Sequence, residues 1–247
     1  HNGELDDADW SDDSKQLAFV SSSRDHKQAN LQIANAETGE VKAIFEEKVN
    51  TQYESGQGAV NWNFLPKTNE IIWYSERSDW GHLYLYDATT GNVKNQITSG
   101  NFVVTRILKT DAAQRVIYFE AKGKEVNQNP YFSYVYRVDF SGKNITLLTP
   151  GNGHHAISFS PDGKYFTDTY SQPNVPPVTE VRDTKGALIT TLEKTDITRL
   201  KAIGWTPPTP FSVKSADNKW DLYGQMFIPS NLNPSEKYPV IVYIYPG

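Results

Sequence analysis

Residues 71–91 read Ile71-Ile72-Trp73-Tyr74-Ser75-Glu76-Arg77-Ser78-Asp79-Trp80-Gly81-His82-Leu83-Tyr84-Leu85-Tyr86-Asp87-Ala88-Thr89-Thr90-Gly91. Two short runs rich in aromatic and β-branched residues, Ile71 to Tyr74 and His82 to Tyr86, flank a polar segment. Such residues suit a pleated, half-buried surface, which predicts two antiparallel strands. The second run ends on a turn in which Gly91 supplies positive φ. The Asp87 side chain can bond its own backbone there.

Working outward, the same layout occurs three more times: an aromatic strand, a polar turn, two apolar strands and an Asp/Asn-led glycine turn. The aromatic strand of the 71–91 repeat is Val60 to Asn63. Another copy runs Ala8 to Ser11, Leu17 to Val20, Leu31 to Ile33 and the turn ending at Gly39. The next has Thr105 to Ile107, Val116 to Phe119, Tyr134 to Val138 and Gly142. The last has Ala156 to Phe159, Tyr165 to Thr167, Thr179 to Arg182 and Gly186. The turn glycines are 52, 51 and 44 residues apart, and a fourth strand follows each one. A repeat of roughly 40–50 residues with four short antiparallel strands is a propeller blade. One blade cannot bury both its faces, so blades must stack. Four are the bare minimum for closure, so a longer ring is expected, with unpaired edges here that invite self-association, for instance as a homodimer.

After Leu192 the texture changes. Thr206-Pro207-Pro208-Thr209-Pro210 cannot join a sheet centre and reads as a rigid linker. Phe211 to Ser215 and Trp220 to Ile228 are predicted to form a hairpin. Tyr238-Pro239-Val240-Ile241-Val242-Tyr243-Ile244-Tyr245 is a nearly unbroken apolar run, as in strands buried on both faces of a covered α/β sheet. The expected division is therefore blades over 1–205 and a second unit opening over 206–247.

Composition narrows the function. Aromatics make up 13% of the 247 residues, and the net charge of −5 leaves no basic footprint for nucleic acid. With no cysteine, disulfides, thiolate metal sites and cysteine nucleophiles are excluded. No apolar run approaches the roughly 20 residues of a membrane span. His154-His155 has no third ligand in register, so neither a metal nor another cofactor is expected. No Gly-x-Ser-x-Gly nucleophile elbow occurs.

Two motifs carry a resemblance. The segment Ser75 to Asp87 resembles the S-E-R-x-x-W-x-H-L-Y-L-Y run in propellers of the dipeptidyl peptidase IV group, within the prolyl oligopeptidase family. Leu222-Tyr223-Gly224, followed by Tyr238 to Gly247, is similar to the opening of that family's α/β-hydrolase domain. The resemblance spans essentially the whole chain. It implies a mainly β fold: part of a propeller of about eight blades, then the first strands of an α/β-hydrolase domain.

The resemblance also implies a serine exopeptidase that releases N-terminal dipeptides, preferring Pro or Ala at the penultimate position. Its partners would be peptides with a free N-terminus, and its location periplasmic, secreted or membrane-anchored. Tyr245 occupies the position whose phenol completes the oxyanion hole, and Pro246 departs from the usual Gly or Ala. The loop containing Tyr53, Glu54 and Gln57 corresponds to one that approaches the substrate. Glu46-Glu47 invites comparison with the family's glutamate pair for the substrate amino terminus. Here the two residues close a fourth strand and read as a solvated charge cluster. The segment is expected to be inactive alone. Tripeptidyl or acylaminoacyl peptidases, or a non-catalytic propeller that binds proteins, are the alternatives.

Overall fold

A computed structural model describes residues 8–55, 61–233 and 235–244. Four sheets of four strands follow one another along the chain. The first contains β1 (Ala8–Trp10), β2 (Gln16–Ser22), β3 (Gln28–Asn35) and β4 (Val41–Lys48). The second contains β5 (Asn63–Leu65), β6 (Glu70–Ser75), β7 (His82–Asp87) and β8 (Val93–Gln96). The third contains β9 (Val103–Asp111), β10 (Val116–Lys122), β11 (Ser133–Asp139) and β12 (Thr146–Leu147). The fourth contains β13 (His154–Phe159), β14 (Tyr165–Gln172), β15 (Val175–Asp183) and β16 (Leu188–Lys194). Within each sheet the strands pair antiparallel in chain order, the up-and-down pattern of a propeller blade.

The repeat's turn chemistry is as the spacing predicts. Gly39, Gly91, Gly142 and Gly186 have φ of 73°, 74°, 80° and 88°. The Asp87 carboxylate accepts the N–H groups of Thr89 and Thr90 at 2.9 and 2.8 Å, and Asn35 accepts those of Glu37 and Thr38. Absence of a side chain matters for a second reason. A Cβ on Gly142 would lie 2.8 Å from the Ile97 carbonyl, and one on Gly186 would lie 3.0 Å from Leu148 Cα. One on Gly91 would collide with the Ile44 carbonyl. Each turn thus rests on backbone near the fourth strand of the preceding sheet. Gly39, in the first sheet, has nothing within 4 Å of such a Cβ.

Side chains fill the spaces between sheets by simple alternation. Every residue of β6 is buried. Ile71 and Trp73 pack with Ala29 and Leu31 of the first sheet, whereas Ile72 and Tyr74 pack with Phe119 and Tyr136 of the third. In β10, Val116 and Tyr118 turn instead toward Phe166 of the fourth sheet.

Polar groups lock the same interfaces. The Asp9 carboxylate accepts the Phe64 N–H at 2.9 Å. Buried Asn61 donates to the Thr105 carbonyl at 3.0 Å and accepts from the Ile107 N–H at 2.8 Å. Glu70, 2% exposed, accepts from Lys94 at 2.5 Å and from Arg115 of the next sheet at 2.7 Å. Burial alone would raise the Glu70 carboxyl, but the bonds from Arg115 and Lys94 outweigh it and hold it at about 2.

Beyond β16 the chain forms a short helix, α1 (Thr198–Ala202), which no periodicity announces. The expected hairpin follows as β17 (Thr209–Lys214) and β18 (Asp221–Met226), with Phe211 opposite Gly224. Thr209 and Pro210, read above as linker, lie inside β17. A two-stranded ribbon has only edges, where proline is tolerated. Tyr223 meets Tyr131 of the β10–β11 loop edge-to-face, with ring centroids 6.1 Å apart. The apolar strand expected over Tyr238 to Tyr245 is not formed across 238–244, and Tyr245 lies outside the described residues. Ile241 is 93% exposed, and no described strand pairs with this run, so its two apolar faces have nothing to cover them.

Two expectations test this packing. Gly142→Ala should cost about 2–4 kcal/mol in urea unfolding, against about 1 kcal/mol for Gly39→Ala, because only the former adds a backbone collision to φ strain. Equal losses would contradict the intersheet role. The Glu70 value lies below its unfolded one, so its stabilisation is present above about pH 5 and drains away as the pH falls toward about 2. Glu70→Gln should therefore be about 2 kcal/mol less stable than the parent near neutral pH, with the gap closing through that acidic window. A gap independent of pH would assign the loss to packing.

Candidate functional site

The β4–β5 connection, the β2–β3 loop and the β6–β7 loop meet at one end of the first two sheets. Tyr53 joins the first two: its N–H donates to the His26 carbonyl. Its half-buried ring lies nearly parallel to Trp73, with centroids 5.9 Å apart and planes at 21°. Glu54 is exposed beside it and accepts the Ser55 N–H at 3.1 Å. Gln57 lies outside the described residues, as does Tyr245.

Trp73 is itself fixed by a residue that the sequence reading misplaced. Glu47 is 7% exposed, not solvated. Its carboxylate accepts Trp73 Nε1–H at 2.6 Å, Arg77 Nη2–H at 2.8 Å and the Ser75 hydroxyl. Glu46 is exposed, as expected, and pairs with Lys48 at 2.5 Å. Alternation along β4 turns Glu47 to the side facing the second sheet, where three donors await it. The signal in the sequence was indirect: an indole N–H and an arginine on the neighbouring strand and loop both need an acceptor when buried.

Arg77 extends the network. Its Nε donates to Ser75 Oγ at 2.8 Å, its Nη2 also donates to the Tyr86 hydroxyl, and its guanidinium lies 4.6 Å from the Tyr84 ring centroid. Burial disfavours its charge, yet the Tyr86 and Glu47 contacts more than offset that and hold the guanidinium above its ordinary value. Phe45 stacks on Tyr86 with centroids 4.1 Å apart and meets Trp73 edge-on.

Beyond this wall lie Tyr74 and two carboxylates. The Tyr74 hydroxyl donates to Glu76 at 3.3 Å. Burial first, then the negative charges of Glu76 and Glu54, push its phenol far above the ordinary value, so it remains a neutral donor. Glu54 and Glu76 are both exposed, as is the neighbouring Trp80. Two carboxylates beside aromatic rings offer a site for a cationic or hydrogen-donating group.

The histidines have structural partners. His82 Nε2 lies 2.9 Å from the Gly100 carbonyl and so donates, leaving Nδ1 to accept from Thr98 at 3.0 Å; burial lowers its proton affinity. His155 lies between Asp168, 2.9 Å away, and the Gly151 carbonyl, 2.7 Å away. Among the described residues no group of three metal-ligating side chains occurs.

Against known proteins, residues 2–177 match the family described as the dipeptidyl peptidase IV (DPP IV) N-terminal region. Dipeptidyl peptidase 4 of Arthroderma otae is 32% identical over 197 residues, covering 76% of this chain and 24% of that protein. Dipeptidyl peptidase 4 of Trichophyton rubrum is 30% identical over 178 residues, covering 70% of this chain and 22% of its own length. The chain thus spans about a quarter of the curated relatives it matches. Among solved structures, dipeptidyl peptidase 4 of Porphyromonas gingivalis superposes with a TM-score of 0.78 at 24% identity, over 94% of this chain and 32% of that one. A chain from Bacteroides ovatus superposes with a TM-score of 0.75 at 26% identity, over 94% of this chain and 35% of its own. With four consecutive four-stranded sheets and a match over well over half its length, the chain belongs to the dipeptidyl peptidase IV N-terminal region family.

Proposed function

We propose that this chain is part of a serine exopeptidase that releases dipeptides from free peptide N-termini, preferring Pro or Ala at the second position. The match of residues 2–177 to the dipeptidyl peptidase IV N-terminal region carries this reading. In it, residues 1–205 form propeller blades that restrict access and position the substrate. Residues 206–247 are the linker and first strands of the peptidase domain. Tyr53 and Glu54, with Gln57 of the same loop, line the wall facing the peptide. The grouping of Tyr53 and Glu54 with the exposed carboxylate of Glu76 and the neutral Tyr74 phenol suits an ammonium-bearing end.

The nucleophile, base and orienting acid of such an enzyme belong to an α/β-hydrolase domain, for which no Gly-x-Ser-x-Gly occurs within these 247 residues. This chain would contribute Tyr245 to the chemistry. A neutral phenol beside the reacting carbonyl donates to the oxyanion that develops in the tetrahedral transition state, and so lowers the barrier without tightening ground-state binding.

The full-length protein is expected to cleave Gly-Pro and Ala-Pro chromogenic substrates and to be silenced by a serine-directed inhibitor. Tyr245→Phe should lower kcat by about 10²-fold with little change in KM, as for loss of one oxyanion donor. The 247-residue chain alone should show no turnover. Absence of dipeptide release by the full-length protein would refute the peptidase reading, and an unchanged kcat would remove Tyr245 from the mechanism.

A further inference from the structure

Glu47 sits on an outer strand, one residue from an exposed lysine, yet its carboxylate is buried. A charge taken out of water is costly unless it is paired and hydrogen-bonded. Its bonds to Trp73, Ser75 and Arg77 supply that pairing. They also fix the Trp73 ring: with Nε1–H held at 2.6 Å, the indole cannot rotate without abandoning a buried acceptor. Tyr53 lies on the face of this fixed ring, and its backbone is tied to the β2–β3 loop through His26. Tyr53 is thus anchored through its backbone and through its ring, and Glu47 controls the ring contact.

We infer that Glu47 is a positioning residue: acting through Trp73, it sets the orientation of Tyr53 and of the adjoining Glu54 at the substrate-facing end of the blades. This rests on the peptidase reading given above. Arg77 completes the device by balancing the Glu47 charge, while Phe45, stacked on Tyr86, packs edge-on against the same indole. Neither Glu47 nor Trp73 needs to touch substrate. Their effect would be on binding, because a displaced Tyr53 weakens substrate and transition state alike.

The test uses the full-length peptidase and a series of Ala-Pro substrates. Glu47→Gln keeps the shape of the side chain but turns an amide donor toward existing donors. It should raise KM about tenfold and leave kcat within about twofold, and Tyr53→Leu should do the same. The double variant should be no worse than Tyr53→Leu alone, since both act through one contact. Near-ultraviolet circular dichroism of Glu47→Gln should show altered indole signals, reporting release of the Trp73–Tyr53 stack. Should Glu47→Gln fail to fold, Trp73→Phe keeps a smaller aromatic ring beside Tyr53 and removes the N–H that Glu47 accepts; it should raise KM likewise. An unchanged KM in the folded variant, or additive effects in the double variant, would overturn the positioning role. Wild-type enzyme that releases no dipeptide would instead refute the peptidase reading, and the KM claim with it.

Discussion

In three successive repeats the turn glycine lies against the backbone of the sheet before it, at Ile44, at Ile97 and at Leu148. That contact sets how closely neighbouring sheets approach. It leaves no room for a Cβ, and each glycine must also hold a positive φ. Given that spacing, adjacent residues of a central strand bury on opposite sides, as Ile71 and Ile72 do. A sheet with both faces apolar has no stable existence in water alone, so each interface depends on the next. The polar locks follow the same geometry: Asn61, Asp9 and Glu70 each reach from one sheet to backbone or charge on its neighbour.

Much of this was legible in the sequence because it is periodic. Four copies of one strand order, punctuated by glycine turns, fix the sheets and their antiparallel pairing. The Phe211–Trp220 region was readable for the same reason, as two strand-like runs around Ala216-Asp217-Asn218-Lys219. The unbroken run from Tyr238 also reads as a strand, but a strand exists only with a partner to bond, and none of the described residues supplies one. Local pattern reports what a segment could form; pairing is a property of two segments.

The site was less legible, for a related reason. Only resemblance singles out Tyr53 and Glu54 in the sequence; in the structure Tyr53 lies against Trp73 and Glu54 lies near Tyr74, at one end of the second sheet. Glu47 was misjudged because a glutamate between Glu46 and Lys48 at a strand end ordinarily faces water. Its burial is decided by an indole N–H 26 residues away. His82 is a satisfied core histidine, since Thr98 and Gly100 sit where the chain returns beside it. A scaffold of stacked sheets thus carries a loop end whose aromatic and acidic groups are held by buried ionic contacts.

The claim that the sheets stabilise one another in sequence is tested most directly by native-state hydrogen exchange resolved by residue. Amides of Ile72, Leu85, Phe119 and Tyr136, buried between the second and third sheets, should exchange most slowly and at a common opening free energy. Those of β16 and of the β17–β18 ribbon, which have only exposed side chains or a single partner strand, should open first. Equal protection of all four sheets, or slowest exchange in β16, would contradict the account.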